Sequence, residues 1–270
     1  MPEEKLNFND VLNVLDTFTK DLSIFEVWVP SLQKTVNMKE LTAKQQKQLL
    51  SFVIDSTTGY KSFFAKPFYD ILIQNCGLTK PEINKLTFID YTSMAIAIRK
   101  QISDTLKVEF ETETENKVED INLTSILENF KNLKYPKPEK IIAQKETLKI
   151  DITVKIPTIL DDVLYFEYMP VIKQGDAQVE ALKQLVAEAY IYETSKCIEQ
   201  ITINDKSLGY NELNIKQRYA LLEKLPATVI QKILSQYASW RELINKSLTV
   251  YSSSGIKKTL EIDTLLFLTT

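Results

Sequence analysis

An α+β protein is predicted, with helical N- and C-terminal parts flanking a β-rich antiparallel middle and a closing β-hairpin. Three observations predict it. Apolar residues recur at helical spacing through the first hundred positions. Between 105 and 156 the period drops to two, with no crossover helix between the runs, which argues antiparallel pairing. After 176 the helical period returns, and the last stretch reads as strand, loop, strand. The organisation read from this is 1–104 as a hairpin plus helical domain, 105–160 as the β-rich middle, and 161–270 as a helical part ending in a hairpin.

Taken in order, "NFNDVLNVLDTFTKDL" sets Phe8, Val11, Leu12, Leu15 and Phe18 near one face of a helix, with Asn7 or Asn9 as its cap. In "FEVWVPSLQKTVNMK", Val27 and Val29 alternate with Glu26 and Trp28, and Thr35–Met38 return across the turn. Pro30 has no N–H for a ladder, so it belongs at a strand end. Thr42 and Gln45 form a T-x-x-Q capping box that starts a helix running to about Ile54. "YKSFFAKPFYDILIQNC" reads as a helix kinked at Pro67 and stopped by Gly77. "TFIDYTSMAIAIRKQIS" carries Ile89, Met94, Ile96, Ala97 and Ile98 and is apolar enough to be a well-buried helix.

In the middle, Leu106, Val108 and Phe110 alternate, then Ile121 and Leu123, with a polar tip between them. "KYPKPEK" reads as a surface connection. "ETLKIDITVKI" is the cleanest strand, with Leu148, Ile150, Ile152, Val154 and Ile156 on one face. "DAQVEALKQLVAEAYIYETSKCIEQI" reads as one helix capped by Asp176, on the spacing of Val179, Leu182, Leu185 and Val186. Two further helices meet at Pro226, a residue suited to a helix's first turn. "SLTVYSSSGIKKTLEI" is a hairpin with its loop at Ser252–Gly255, and "DTLLFLTT" is an apolar tail.

Composition narrows the function. The net charge is -3, and only three of the 33 basic residues are arginine: Arg99, Arg218 and Arg241. Arginine supplies the rigid fork for phosphate and guanine, so a nucleic-acid partner is not expected. No histidine is present, which removes the side chain most used for proton transfer near neutral pH. The five glycines are too scattered to cradle a phosphate. No apolar run approaches the ~20 residues of a membrane span, and the acidic, polar start is unlike a signal peptide.

Candidate reactive groups are each expected to be structural. Asp161 and Asp162 are paired carboxylates of the kind that bind divalent ions or split acid and base roles. As neighbours in an extended segment they point apart, so a solvated turn is expected. Glu109, Glu111, Glu113 and Glu115 form a comb on one strand face opposite Val108 and Phe110, expected as its solvent side. Cys76 and Cys197 have no activating base and read as buried apolar residues in a reducing compartment. Lys131, Lys134, Lys137 and Lys140 surround Tyr135 in a phosphate-tracking pattern, but no arginine joins them and a solvated loop is expected. Catalytic, cofactor-binding and metal-binding residues are therefore expected to be none. Trp28 and Trp240, with the helix residues Lys44, Lys47 and Gln48, are the candidates for a protein interface.

Several of these segments, in order, carry a resemblance. "FEVWVPSLQKTVNMKELTAKQQKQLLSFV" resembles the N-terminal module of the T4-like bacteriophage baseplate hub subunit family, with its strand, Pro-Ser turn, return strand and helix with paired leucines, here Leu49 and Leu50. "LTFIDYTSMAIAIRKQIS" is similar to that family's Leu-x-x-x-Asp helix, with Asp90 and Arg99 at its acidic and basic positions. "VKIPTILDD", "KCIEQITI" and "LLEKLPATVIQKILSQY" are similar to its later segments. The resemblance spans most of 24–268. It departs at "FETETENK" and "YSSSGIKK", where Thr and Ser stand in place of the Cys pairs of relatives, so no zinc-ribbon role is carried over.

The resemblance implies a non-enzymatic structural or assembly component of a contractile phage tail. Such a late protein works by contacts with other baseplate hub and tail proteins in the virion after assembly in the host cytoplasm. A homo-oligomer is an open alternative, as is an assembly chaperone absent from the mature particle. The competing class is a carboxylate-based, metal-dependent enzyme.

Overall fold

Two hydrophobic cores share one buried helix. The computed structural model describes residues 7–20, 22–54, 65–111, 116–145, 148–168 and 190–260. Within them the fold is α+β with antiparallel sheets. The shared helix is α5, Phe88–Ile102. Its Phe88, Ile89 and Ile96 enter one core while Met94, Ala95, Ala97 and Ile98 enter the other. Asp90, Thr92, Ser93 and Arg99 are buried with them, so α5 is enclosed on all sides up to its last turn.

Helix α1 (Phe8–Lys20) stands outside the packed clusters, and the first core is built on strands β1 (Ile24–Val29) and β2 (Lys34–Lys39) and helices α2 (Ala43–Ile54), α3 (Ala65–Asn75) and α4 (Lys80–Ile83) with α5. β1 and β2 pair antiparallel with Val29 opposite Lys34, and Val27, Val29, Val36 and Met38 point inward. The turn closes through Gln33, held at φ 49°. The T-x-x-Q box forms as expected: Thr42 N–H donates to Gln45 Oε1 at 2.9 Å, and Gln45 N–H to Thr42 Oγ1 at 3.2 Å. Pro67 is the third residue of α3, at a position where a missing N–H costs no bond within the described helix. Gly77 acts by close approach: its N–H bonds Asn37 O at 2.8 Å, and a Cβ there would meet that oxygen at 3.3 Å.

The second core begins with strands β3 (Thr105–Glu111) and β4 (Asn116–Asn122), which bury Leu106, Val108 and Phe110 as the alternation requires. Helix α6 (Leu123–Lys131) follows, capped by the Asn122 side chain, and it corrects the reading of this region as β alone. Its apolar positions Leu123, Ile126 and Phe130 are fully buried at 3–4-residue spacing.

Strands β5 (Glu139–Lys145) and β6 (Leu148–Val154) precede helix α7 (Ile159–Tyr168) and a helical stretch α8 over 190–196. Strands β7 (Ile198–Ile203) and β8 (Lys206–Gly209) complete a four-stranded sheet of order β5-β6-β7-β8. "CIEQITI" is thus mainly strand, where a continuing helix was expected. Its pairing with β6 makes one sheet across the 160/161 boundary. The turn Asn204–Asp205, both at positive φ, closes β7 onto β8 as a two-residue hairpin.

A 3-10 turn (Tyr210–Glu212), helices α9 (Ile215–Leu222) and α10 (Ala227–Ser247), and the hairpin β9 (Thr249–Tyr251) and β10 (Lys257–Thr259) finish the fold. Pro226 caps α10, and Gly255 at φ 84° closes the last loop. Trp240 is 1% exposed inside the second core. It is a packing residue, which removes it from the expected interface set. The helix expected from Asp176 to Val186, the tip with Glu113 and Glu115, and the tail "DTLLFLTT" lie outside the described residues.

Candidate functional site

Two buried polar joints and one exposed apolar face stand out. At the first joint, the Ser31 N–H on the β1–β2 turn donates to Asp90 Oδ1 at 2.7 Å. Asp90 is the third residue of α5, and its other oxygen accepts from Thr87 N–H at 2.7 Å and Thr87 Oγ1 at 2.8 Å. The Tyr135 hydroxyl then donates to Thr87 Oγ1 at 2.9 Å. Burial pushes the Asp90 carboxyl above its ordinary range, while the donors from Thr87 and Ser31 pull it back. One carboxylate therefore fixes the turn, the helix start and the proline-rich connection together. Tyr135 is committed to this joint, while Lys131, Lys134, Lys137 and Lys140 stay exposed.

The second joint overturns the solvated-turn reading of Asp161 and Asp162, which are 7% and 5% exposed. They lie in the first turn of α7, where Thr158 and Asp161 form a capping box. Helical geometry turns them about 100° apart rather than to opposite faces. Lys155 Nζ sits 2.5 Å from Asp161 Oδ2, and Tyr192 donates to the Asp161 carbonyl. Lys196 Nζ lies 2.7 Å from Asp162 Oδ1 and 2.8 Å from Glu193 Oε1, and Tyr91 donates to Asp162 Oδ2 at 3.1 Å.

Burial raises the Asp162 carboxyl against the pull of Lys196. For Lys196 burial acts downward, yet Asp162 and Glu193 together hold its ammonium well above the usual lysine range. Each carboxylate is thus spoken for by its own lysine, and the pair ties α7 to α8 and α5.

The thiols are kept protonated by burial: Cys197 is 0% exposed, and half-buried Cys76 is shifted in the same direction. Cys76 is less enclosed than expected. Glu109 and Glu111 face solvent opposite Val108 and Phe110. Among the described residues no group of His, Cys, Asp and Glu is arranged to hold a metal ion, and no helix is long and apolar enough to cross a membrane.

Of the expected interface residues, Lys44, Lys47 and Gln48 lie on the exposed side of α2, opposite buried Gln45 and Leu49. Trp28 is half-buried on the face of β1 away from Val27 and Val29. Its Nε1 is screened from solvent and has no hydrogen-bond partner among the described residues.

The apolar face belongs to α1. Phe8 is 74% exposed, Val14 64% and Leu15 51%, with Val11 and Leu12 also open. The helical spacing of this segment was legible; that no described part of the chain covers it was not. A second surface feature is a groove of about 450 Å³ between β5 and α10, lined by Lys140, Ile141, Ile142, Gln231, Lys232 and Ser235. Comparison of the chain with models of protein families, with curated proteins and with solved structures found no match.

Proposed function

We propose that this protein is a structural or assembly component of a contractile phage tail baseplate hub, acting through contacts with neighbouring proteins. The observation that carries this reading is the open apolar face of α1. A 13-residue helix is marginal in water by itself, so such a face calls for cover by another surface. Support also comes from where the residues of the family resemblance sit. The Pro-Ser turn, Asp90 and the Leu-Pro break occupy joints that set the orientation of whole elements, which is what a scaffold must conserve in shape.

Peptide mass spectrometry of purified particles, with gene deletion in the source phage, tests the reading. Presence in the particle together with failed baseplates on deletion identifies a subunit. Absence from the particle with the same failure identifies an assembly factor. Normal baseplates after deletion overturn both.

A further inference from the structure

The α1 face and the β5–α10 groove, neither of them filled by any described residue, match each other. At about 100° per residue, the apolar arc of α1 runs from Val14 round through Val11, Leu15 and Phe8 to Leu12. Asp10 lies about 40° beyond the Val14 edge, and Asp16 about 40° beyond the Leu12 edge. The helix is therefore an apolar ridge with one carboxylate on each flank. The groove is its counterpart: Lys140 and the exposed Ile142 share one face of β5, Ile141 turns to the partly buried side, and Lys232 stands on the α10 wall. Ile142 is 51% exposed, a large apolar residue on the edge strand of the sheet. The groove volume of about 450 Å³ has room for a few side chains of the ridge.

We propose that α1 of one copy docks into the β5–α10 groove of a second copy, with Asp10 and Asp16 against Lys140 and Lys232. The sign of the charge argues against a lipid surface, which favours Lys and Arg on the polar face of such a helix. The tether argues against the groove of the same chain. Only residues 21–23 join α1 to β1, and β1 packs in the first core, whereas β5 and α10 flank the second. The contact is heterologous, so copies close into a ring or add head to tail. It uses the same α1 face that carries the phage-tail reading, but its test needs only the purified chain, so a failure of self-docking is distinguishable from a failure of that reading.

Sedimentation velocity of the purified full chain over a wide concentration range tests it. Wild type is expected to associate reversibly. Leu15→Asp is expected to be monomeric, and since α1 lies outside both cores its melting temperature should not change. The decisive arm is a charge swap. Asp10→Lys with Asp16→Lys, and separately Lys140→Glu with Lys232→Glu, are each expected to weaken association at least about tenfold. An equimolar mixture of the two is expected to associate again, since each copy then meets a groove or ridge of opposite sign. A wild type that stays monomeric at the highest soluble concentration overturns the proposal. So does association that survives Leu15→Asp, or a mixture that fails to recover.

Discussion

The backbone N–H of Ser31 and the carboxylate of Asp90 meet at 2.7 Å across 59 residues of sequence. Through this bond the hairpin of the first core is held to the helix that both cores share. Removing it leaves the buried Thr87 N–H and the Ser31 N–H without an acceptor. Each such loss costs about 1–3 kcal/mol, so Asp90→Ala is expected to destabilise by about 3 kcal/mol or more. Asp90→Asn keeps one acceptor and turns an amide N–H₂ towards the other donors, and is expected to fall between. Urea unfolding at neutral pH measures both. A change below about 0.5 kcal/mol for Asp90→Ala would mean that the joint is not structural.

The second joint makes a sharper demand, because both ions are withdrawn from water. Lys196 is 5% exposed and bridges Asp162 and Glu193. Lys196→Met leaves Asp162 buried without its cation, an uncompensated charge that costs about 3–5 kcal/mol. Asp162→Asn strands the ammonium less severely, since Glu193 remains and Tyr91 keeps an acceptor. The double variant is expected to cost less than the sum of the two singles by about 1–3 kcal/mol. Strict additivity would show that the two groups are not coupled.

Much of the architecture was legible because its signals are local. Pro30 at the strand end, the Thr42–Gln45 box, the alternation of Leu106, Val108 and Phe110, and Pro226 before α10 are each decided within a few residues. The β7–β8 hairpin had a local signal too, since Asn204–Asp205 is a favoured two-residue turn, but the helical period upstream masked it. α6 was hidden because Ile121 and Leu123 continue the alternation of β4 across the actual boundary.

The state of Asp161 and Asp162 depends on partners that sequence spacing does not mark as partners. Lys196 is 34 residues from Asp162, and the pairing exists only once β7 has brought α8 beside α7. The same holds for Trp240, whose burial is decided by the packing of α10 on the sheet. The candidate surface was half visible: the α1 periodicity reads directly, but the groove joins β5 and α10 from distant parts of the chain.

Glu119 gives one surface contact a pH dependence of definite sign. The Lys117 ammonium and then the Ser253 donors hold Glu119 at about 2, well below its ordinary 4.5. A carboxylate whose pKa is lower folded than unfolded contributes stability above the unfolded value, and loses it as pH falls through the folded one. The contribution of Glu119 is therefore complete above about 4.5 and is lost on the way down to about 2. Glu119→Gln is expected to destabilise at neutral pH and to show a flatter stability profile between those limits than wild type. Thermal melts at half-unit steps compare the two. Parallel profiles would mean that the contact between the β3–β4 and β9–β10 hairpins contributes nothing through this charge.

Trp28 separates packing from recognition, because its ring is half-buried while its Nε1 has no hydrogen-bond partner among the described residues. Trp28→Phe retains most of the apolar area and removes a screened donor that no described residue accepts. Its stability is expected to stay within about 1 kcal/mol of wild type or to rise. Trp28→Ala gives up the ring as well, and a half-buried aromatic is expected to cost about 1–2 kcal/mol, less than a fully buried one. Under the proposed hub function, if the indole contacts a neighbouring protein, both variants fold and both lower baseplate yield on co-expression with the tail genes of the source phage. If it is packing alone, Trp28→Phe assembles normally and only Trp28→Ala suffers, in proportion to its fall in melting temperature. Baseplate yield plotted against melting temperature for the two variants therefore distinguishes a docking residue from a filler of the hairpin's outer face.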